Sequence, residues 1–143
     1  MNVKTIIGSK SREVVTAVTR DKISKLAATL RSYKVGALVI SNDGIRVDGI
    51  VSERDIVHGL VEHGASLLNQ EIGLIMTREV IICTPDELVG DLMAKMSGHS
   101  IRHLPCVEGG KLCGMISIGD VVKHRLGEIE AEAEALRAYI VTG

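Results

Sequence analysis

Apolar and polar positions along this chain switch between two periods, and the same order of switches occurs twice. A short amphipathic turn, Val3-Lys4-Thr5-Ile6-Ile7, precedes a β-rich run, Val14-Val15-Thr16-Ala17-Val18. Apolar residues at spacings of three and four follow, Ile23, Leu26, Ala27 and Leu30, which predict a helix with one buried face. Two strands come next, at 37–40 and 47–51, joined by an Asn42-Asp43-Gly44 turn. Asp-Gly between β-rich runs is a hairpin signal. A second helix is predicted to start after Ser52.

The second pass opens with Ile72-Gly73-Leu74-Ile75-Met76-Thr77 and a β-rich run, Val80-Ile81-Ile82-Cys83. Thr84 as cap, Pro85 at the first helical position and the acids Asp86 and Glu87 predict a helix start. Its apolar stripe is Val89, Leu92, Met93 and Met96. The strands are His103-Leu104-Pro105-Cys106-Val107 and 112–116, with a turn at Glu108-Gly109-Gly110, and the last helix follows Ser117. Each half is therefore an α/β unit of order β-α-β-β-α. The chain divides into repeat one (1–64), repeat two (65–127) and a C-terminal helical extension (128–143). In that extended helix Val122, Leu126, Ile129, Ala133, Leu136 and Ile140 are spaced four, three, four, three, four, which is the seam of a helix that packs on another. Glu128, Glu130, Glu132 and Glu134 surround the seam as a solvated face. The expected assembly is a homodimer.

Candidate chemistry lies where the repeat is most evident. Gly49-Ile50-Val51-Ser52-Glu53-Arg54-Asp55 returns 65 residues later (49 to 114) as Gly114-Met115-Ile116-Ser117-Ile118-Gly119-Asp120. Both copies place Ser-x-x-Asp where a strand gives way to a helix. A hydroxyl at a helix start faces unpaired backbone N–H groups and the positive end of the helix dipole, a natural place for an anion. An aspartate one turn on offers acceptor oxygens to a sugar hydroxyl. The same spacing is also close to a capping box, in which the two side chains satisfy each other's backbone N–H groups. The residues leave both readings open.

Composition narrows the function classes. The chain has 143 residues, 45% of them hydrophobic, enough for one core or two small cores that share a surface. Aromatic residues make up 1%, without Trp or Phe, so the core is built from aliphatic side chains and base-stacking nucleic-acid modules are excluded. A formal net charge of −1 argues in the same direction. No apolar run approaches the roughly 20 residues of a membrane span, and the N-terminus lacks the apolar core of a secretory signal. Cys83, Cys106 and Cys113 sit in strand-like apolar surroundings and read as reduced core residues. The expected location is the cytoplasm. The five histidines, His58, His63, His99, His103 and His124, show no ligand spacing shared with cysteines, so no metal site is expected. No phosphate-binding glycine loop occurs, and Ser52 and Ser117 lack a neighbouring base, so catalysis is not expected.

In its duplicated β-α-β-β-α order, its twin Ser-x-x-Asp units and Leu104-Pro105 ahead of Cys106, the chain resembles a tandem pair of CBS domains, a Bateman module. The resemblance runs from about Val3 to about Leu126 and is to the stand-alone bacterial type, since no catalytic, channel or transporter domain is attached. It implies two repeats packed as a pseudo-two-fold pair, with no obligatory cofactor. It also implies a regulatory role in which AMP, ADP, ATP, NAD or S-adenosylmethionine binds between the repeats and an unidentified protein partner is controlled. Asp55 and Asp120 would accept the ribose hydroxyls, with Ser52 and Ser117 beside the sugar or phosphate. Thr16, Gly36, Ala37, Ile81 and the backbones of Val51 and Ile116 would line adenine slots. Arg102, His103 and Arg54 would face the phosphate. Repeat two has Gly119 where repeat one has Arg54, and repeat one has Gly36-Ala37 where repeat two has Arg102-His103, so the two sites are unequal. The alternative is an interaction scaffold in which Ser-x-x-Asp serves only as a helix cap.

Overall fold

The computed structural model describes residues 2–9 and 14–142. Repeat one contains α1 (Val3–Ser9), β1 (Thr16–Ala17), α2 (Ile23–Tyr33), β2 (Ala37–Ile40), β3 (Gly49–Ser52) and α3 (Glu53–His63). Two 3-10 turns, Gly64–Asn69 and Ile72–Leu74, lead to repeat two. That repeat has α4 (Val89–His99), β4 (His103–Glu108), β5 (Lys111–Ser117) and the long α5 (Ile118–Thr142). The α/β order and the extended final helix are those expected.

Corresponding elements match in detail. Helices α2 and α4 both run for 11 residues, and both end on a left-handed residue, Lys34 at φ 54° and Ser100 at φ 52°. Their buried faces are Ile23, Leu26 and Leu30 in one and Val89, Leu92 and Met96 in the other. Periodicity predicted these stripes, except that Met93 is 37% exposed. In repeat one β1 pairs parallel to β2, and β2 antiparallel to β3.

Repeat two departs from its twin at the strand expected over 80–83, which shrinks to one parallel bridge between Cys83 and Cys106. Cys83 N–H donates to the Pro105 carbonyl and Val107 N–H to the Cys83 carbonyl, each at 2.9 Å. The preceding rung needs an N–H from Pro105, which proline lacks, so the ladder stops.

The helix expected from Thr84 also begins later, at Val89 with Leu88 as its cap residue. The Pro85 and Glu87 carbonyls are occupied instead by Lys4 and Val3 N–H groups, at 3.0 and 2.9 Å, and the Glu87 carboxylate accepts from Thr84 N–H at 2.6 Å. The acids that read as a first helical turn therefore close a turn before it.

The two cores are built crosswise. Val3 and Ile6 of α1 pack with Cys83, Val89, Leu92, Met96, Leu104, Cys106, Ile116 and Val121 of repeat two. Leu67, Ile72 and Met76 of the connecting segment pack with Ile23, Leu26, Leu30, Leu38, Ile40 and Val51 of repeat one. Each repeat thus receives its closing apolar residues from the segment that leads into the other. This ties the halves together through burial, worth about 1.5–3 kcal/mol for each large aliphatic side chain. Thr77 adds a short antiparallel rung to Ile50 at the β3 edge, with N···O distances of 2.9 and 3.0 Å.

A candidate paired-cleft binding site

Both Ser-x-x-Asp units stand at the junctions predicted, β3 to α3 and β5 to α5. Ser52 N–H donates to Asp55 Oδ2 at 2.8 Å and Asp55 N–H to Ser52 Oγ at 3.4 Å, a complete capping box. Ser117 N–H donates to Asp120 Oδ2 at 2.9 Å and Asp120 N–H to Ser117 Oγ at 3.2 Å. The capping reading is therefore realised twice. It does not exclude a ligand role, because an ionised carboxylate has about four acceptor sites on two oxygens. The Ser52 hydroxyl, 3.2 Å away, also points at Asp55 Oδ2, so the cap bonds converge on one of the two oxygens.

Each unit lies in its own cleft between the repeats. The first has a volume near 270 Å³ and is lined by Gly36, Ala37, Ser52, Arg54, Asp55, Ile81, Arg102 and His103, among others. The second, near 820 Å³, contains Thr16, Gly36, Ala37, His103, Ser117 and Asp120. Small-molecule sites typically occupy about 300–1,000 Å³. The Asp120 cleft is thus the roomier of the two.

Of the predicted residues, Ile81 lines the Asp55 cleft and Thr16 the Asp120 cleft, whereas Gly36, Ala37 and His103 border both. The side chains of Val51 and Ile116, whose backbones are the expected contacts, are fully buried in the core, and their strand neighbours Ile50 and Met115 face the clefts, as alternation along a strand requires.

Electrostatics also differ from the simple expectation. Arg54, Arg102 and His103 do gather in the Asp55 cleft, but Glu53 and Glu79 share its lining. Arg54 Nη1 donates to the Ser100 carbonyl at 3.2 Å, reaching from repeat one to the C-terminal end of α4. A cation there also meets the negative end of the helix dipole. The Asp120 cleft has Lys34 and His103 in its lining beside Asp120 and is otherwise walled largely by apolar groups, including Ile7, Val15, Leu112 and Met115.

Cys113 also faces that cleft. Burial first, then the nearby Cys106 thiol, pushes its pKa up to about 12, so it is a neutral thiol at pH 7 and a poor nucleophile. Its Sγ lies 3.3 Å from Cys106 Sγ, and the Cys83 thiol and burial raise Cys106 further.

Sequence reasoning did not single out Glu53, Glu79, Tyr33 or Lys34. Glu53 follows Ser52 directly, and its neighbour Arg54 was already a candidate, so adjacency was an available signal. Tyr33 and Lys34 close α2 just before β2, at a left-handed turn on Lys34, and both line the Asp120 cleft. Among the described residues no three His, Cys, Asp or Glu side chains group closely enough to hold a metal ion. Among them too, no helix is long and apolar enough to cross a membrane.

Two near-copies of one α/β unit, with a helix-start Ser–Asp pair in each of two adjoining clefts, define a duplicated α/β module. The CBS-domain family model matches residues 3–62 and 71–127, and the chain belongs to that family. CBS pairs are in general regulatory rather than catalytic units.

A CBS-domain-containing protein from Agrobacterium tumefaciens is 40% identical, with a TM-score of 0.83 over 87% of this chain and 92% of its own. The CBS pair of a protein named MJ0100, solved with 5′-methylthioadenosine and S-adenosyl-L-methionine, is 27% identical with a TM-score of 0.79, covering 90% of this chain and 98% of its own. A Pyrobaculum aerophilum CBS domain protein complexed with AMP is 26% identical with a TM-score of 0.75, covering 84% and 89%. The chain spans 63% of one curated relative it matches and 39% of another.

Proposed function

We propose that this chain is a non-catalytic sensor that binds adenosine-containing ligands in the two clefts between its repeats and signals their occupancy to a protein partner. The observation that carries this reading is the recurrence of a capped aspartate in both clefts, with its cap bonds on Oδ2. Asp55 and Asp120 hold ribose hydroxyls, and Ser52 and Ser117 lie beside the sugar or phosphate. Thr16, Ile81, Gly36 and Ala37 border the base. Arg54, Arg102 and His103 meet a phosphate in the Asp55 cleft. The binding of AMP, methylthioadenosine and S-adenosylmethionine by structural neighbours supports this class of ligand. Calorimetry with AMP, ATP, NAD and S-adenosylmethionine tests it. Micromolar binding of at least one is expected, and flat titrations for the whole set refute it.

The complete capping boxes favour a second reading, an interaction scaffold in which the aspartates only hold helix starts. That reading predicts a change in stability of about 0.5–2 kcal/mol on Asp55→Ala and no nucleotide-dependent change in melting temperature to lose.

Under either reading the assembly is a homodimer through α5. Its seam residues Leu126, Ile129, Leu136 and Ile140 are 54, 46, 60 and 68% exposed, so their apolar faces are left for another helix. Light scattering on a chain truncated after Leu126 is expected to give a monomer mass. An unchanged dimer mass would remove the seam from the explanation.

A further inference from the structure

The two clefts have three lining residues in common among those described, Gly36, Ala37 and His103. Gly36 and Ala37 carry almost no side chain. His103 is therefore the single long side chain that borders both volumes.

Its position follows from how the duplication has diverged. The Gly36 carbonyl accepts from Glu53 N–H at 2.9 Å, and the Arg102 carbonyl accepts from Ile118 N–H at 2.8 Å, so Gly36 and Arg102 are equivalent. Ala37 pairs with Ser52 and His103 with Ser117, which makes Ala37 and His103 equivalent too. Where the clefts adjoin, the small residues Gly36 and Ala37 of one repeat lie with the bulky His103 of the other, while Arg102 lines the Asp55 cleft. A Cβ added to Gly36 would stand 3.2 Å from His103 Cε1 and 3.4 Å from Nε2, with Glu53 Oε2 at 3.8 Å. The imidazole is seated against the bare backbone of Gly36, in space that a side chain there would need.

We propose that His103 is a movable partition that couples the two clefts, so that a ligand filling one weakens binding in the other. A ligand pressing on this wall from one side displaces the ring towards the cleft on its other side. Space gained by the first ligand is lost to the second. Coupling of binding free energies is reciprocal, so the effect has one magnitude whichever cleft fills first. The inference rests on the proposed nucleotide binding and adds to it a sign and a residue.

The test is an NMR titration of the full chain with AMP, following the Ile81 amide for the Asp55 cleft and the Met115 amide for the Asp120 cleft. Asp120→Asn and Asp55→Asn supply the affinity of each cleft with the other disabled. In the wild-type chain the second cleft to fill is expected to bind on the order of 5-fold or more weakly than in its single-cleft variant, a typical coupling size. In His103→Ala that difference disappears. If only one cleft fills in the wild type, His103→Ala is expected to let both fill. Gly36→Ala, whose added Cβ presses on the ring and shifts it by a few tenths of an ångström, is expected to change the affinity of at least one cleft for the first ligand bound.

Wild-type clefts that fill independently, or a second site that strengthens, overturn the coupling while leaving nucleotide binding intact. The same holds if His103→Ala leaves the coupling unchanged, if one cleft alone fills in both chains, or if Gly36→Ala binds as wild type in both clefts. No AMP-dependent shift at either amide, in any of these chains, overturns the coupling and weighs against nucleotide binding as well.

Discussion

The two repeats share a backbone plan yet present opposite side chains to the space between them. Repeat one offers Gly36-Ala37 and, beyond its cap serine, Glu53-Arg54. Repeat two offers Arg102-His103 and Ile118-Gly119. One cleft of about 270 Å³ consequently holds two guanidinium groups and three carboxylates, whereas the other, about 820 Å³, has one lysine and one aspartate in a largely apolar lining, and the His103 imidazole borders both. Duplication preserves what folding needs, the helix stripes, the caps and the left-handed helix ends. It lets the facing residues diverge because their neighbours belong to the other copy. A bulky residue on one side is then matched by a small residue on the other. Two initially equivalent pockets become a charged, narrow one and a larger, less charged one.

The largest effect expected from testing this division concerns the crosswise cores. Ile6 belongs in sequence to repeat one but is fully buried in the core of repeat two. Ile6→Ala should destabilise the chain by about 2–5 kcal/mol, the usual cost of truncating a buried aliphatic side chain. Urea denaturation measures the loss. Methyl NMR signals of Leu92, Leu104 and Ile116 should shift, with Leu38 and Ile40 much less affected. Shifts concentrated in repeat one would mean that α1 packs with its own half.

Next in size is the contrast between the paired aspartates. Asp55→Asn keeps an acceptor for the Ser52 N–H and so should leave the melting temperature near that of the wild-type chain. It removes the charge offered to a ribose diol, worth roughly 1.5–3 kcal/mol for a charged hydrogen bond, or about a 10- to 150-fold loss of affinity in that cleft. Asp120→Asn should do the same in the other cleft only. Calorimetry paired with thermal melts separates these outcomes. Unchanged nucleotide affinity with unchanged stability in both variants would leave the aspartates as caps alone.

Much of this architecture was legible in the sequence because helix stripes and caps are local signals. Ile23, Leu26 and Leu30 announce their buried face by spacing, and Ser52 and Ser117 announce helix starts by residue type. What remained hidden depended on residues distant in sequence. Thr84-Pro85-Asp86-Glu87 reads as a helix start, but carbonyls in that stretch are taken by the N–H groups of Val3 and Lys4, which no local pattern reveals. Strand alternation puts Val51 and Ile116 on one face and Ile50 and Met115 on the other without saying which face meets the core. The apolar face of α1 was evident. Its burial in the opposite repeat was not, because an apolar stripe does not specify its partner.

The smallest effect compares the two hairpin turns and can be followed by pH. Repeat two turns through Gly109 and Gly110 at φ 58° and 77°, a conformation that glycine adopts without strain. Repeat one has a single left-handed glycine in its turn, Gly44 at φ 74°, and adds the Asp43 carboxylate as an organising acceptor. Asp43 Oδ1 accepts from the Ile45 and Arg46 backbone N–H groups, both at 2.8 Å, and Oδ2 from Arg46 Nε at 3.2 Å. These bonds, the Arg46 N–H foremost, hold its pKa at about 2 against an ordinary 3.8. Because the folded value is the lower one, the unfolded chain binds the proton more readily. The stabilisation is therefore complete above about pH 4 and fades as pH falls through about 2. The carboxylate is exposed, so solvent screening keeps the effect small. Its ¹³C carboxyl shift should titrate with a midpoint near 2. Asp43→Ala should lose the acid-sensitive part of stability that the wild-type chain shows between pH 4 and 2. A midpoint at the ordinary value would mean that the turn persists without its carboxylate, making the two hairpins alike after all.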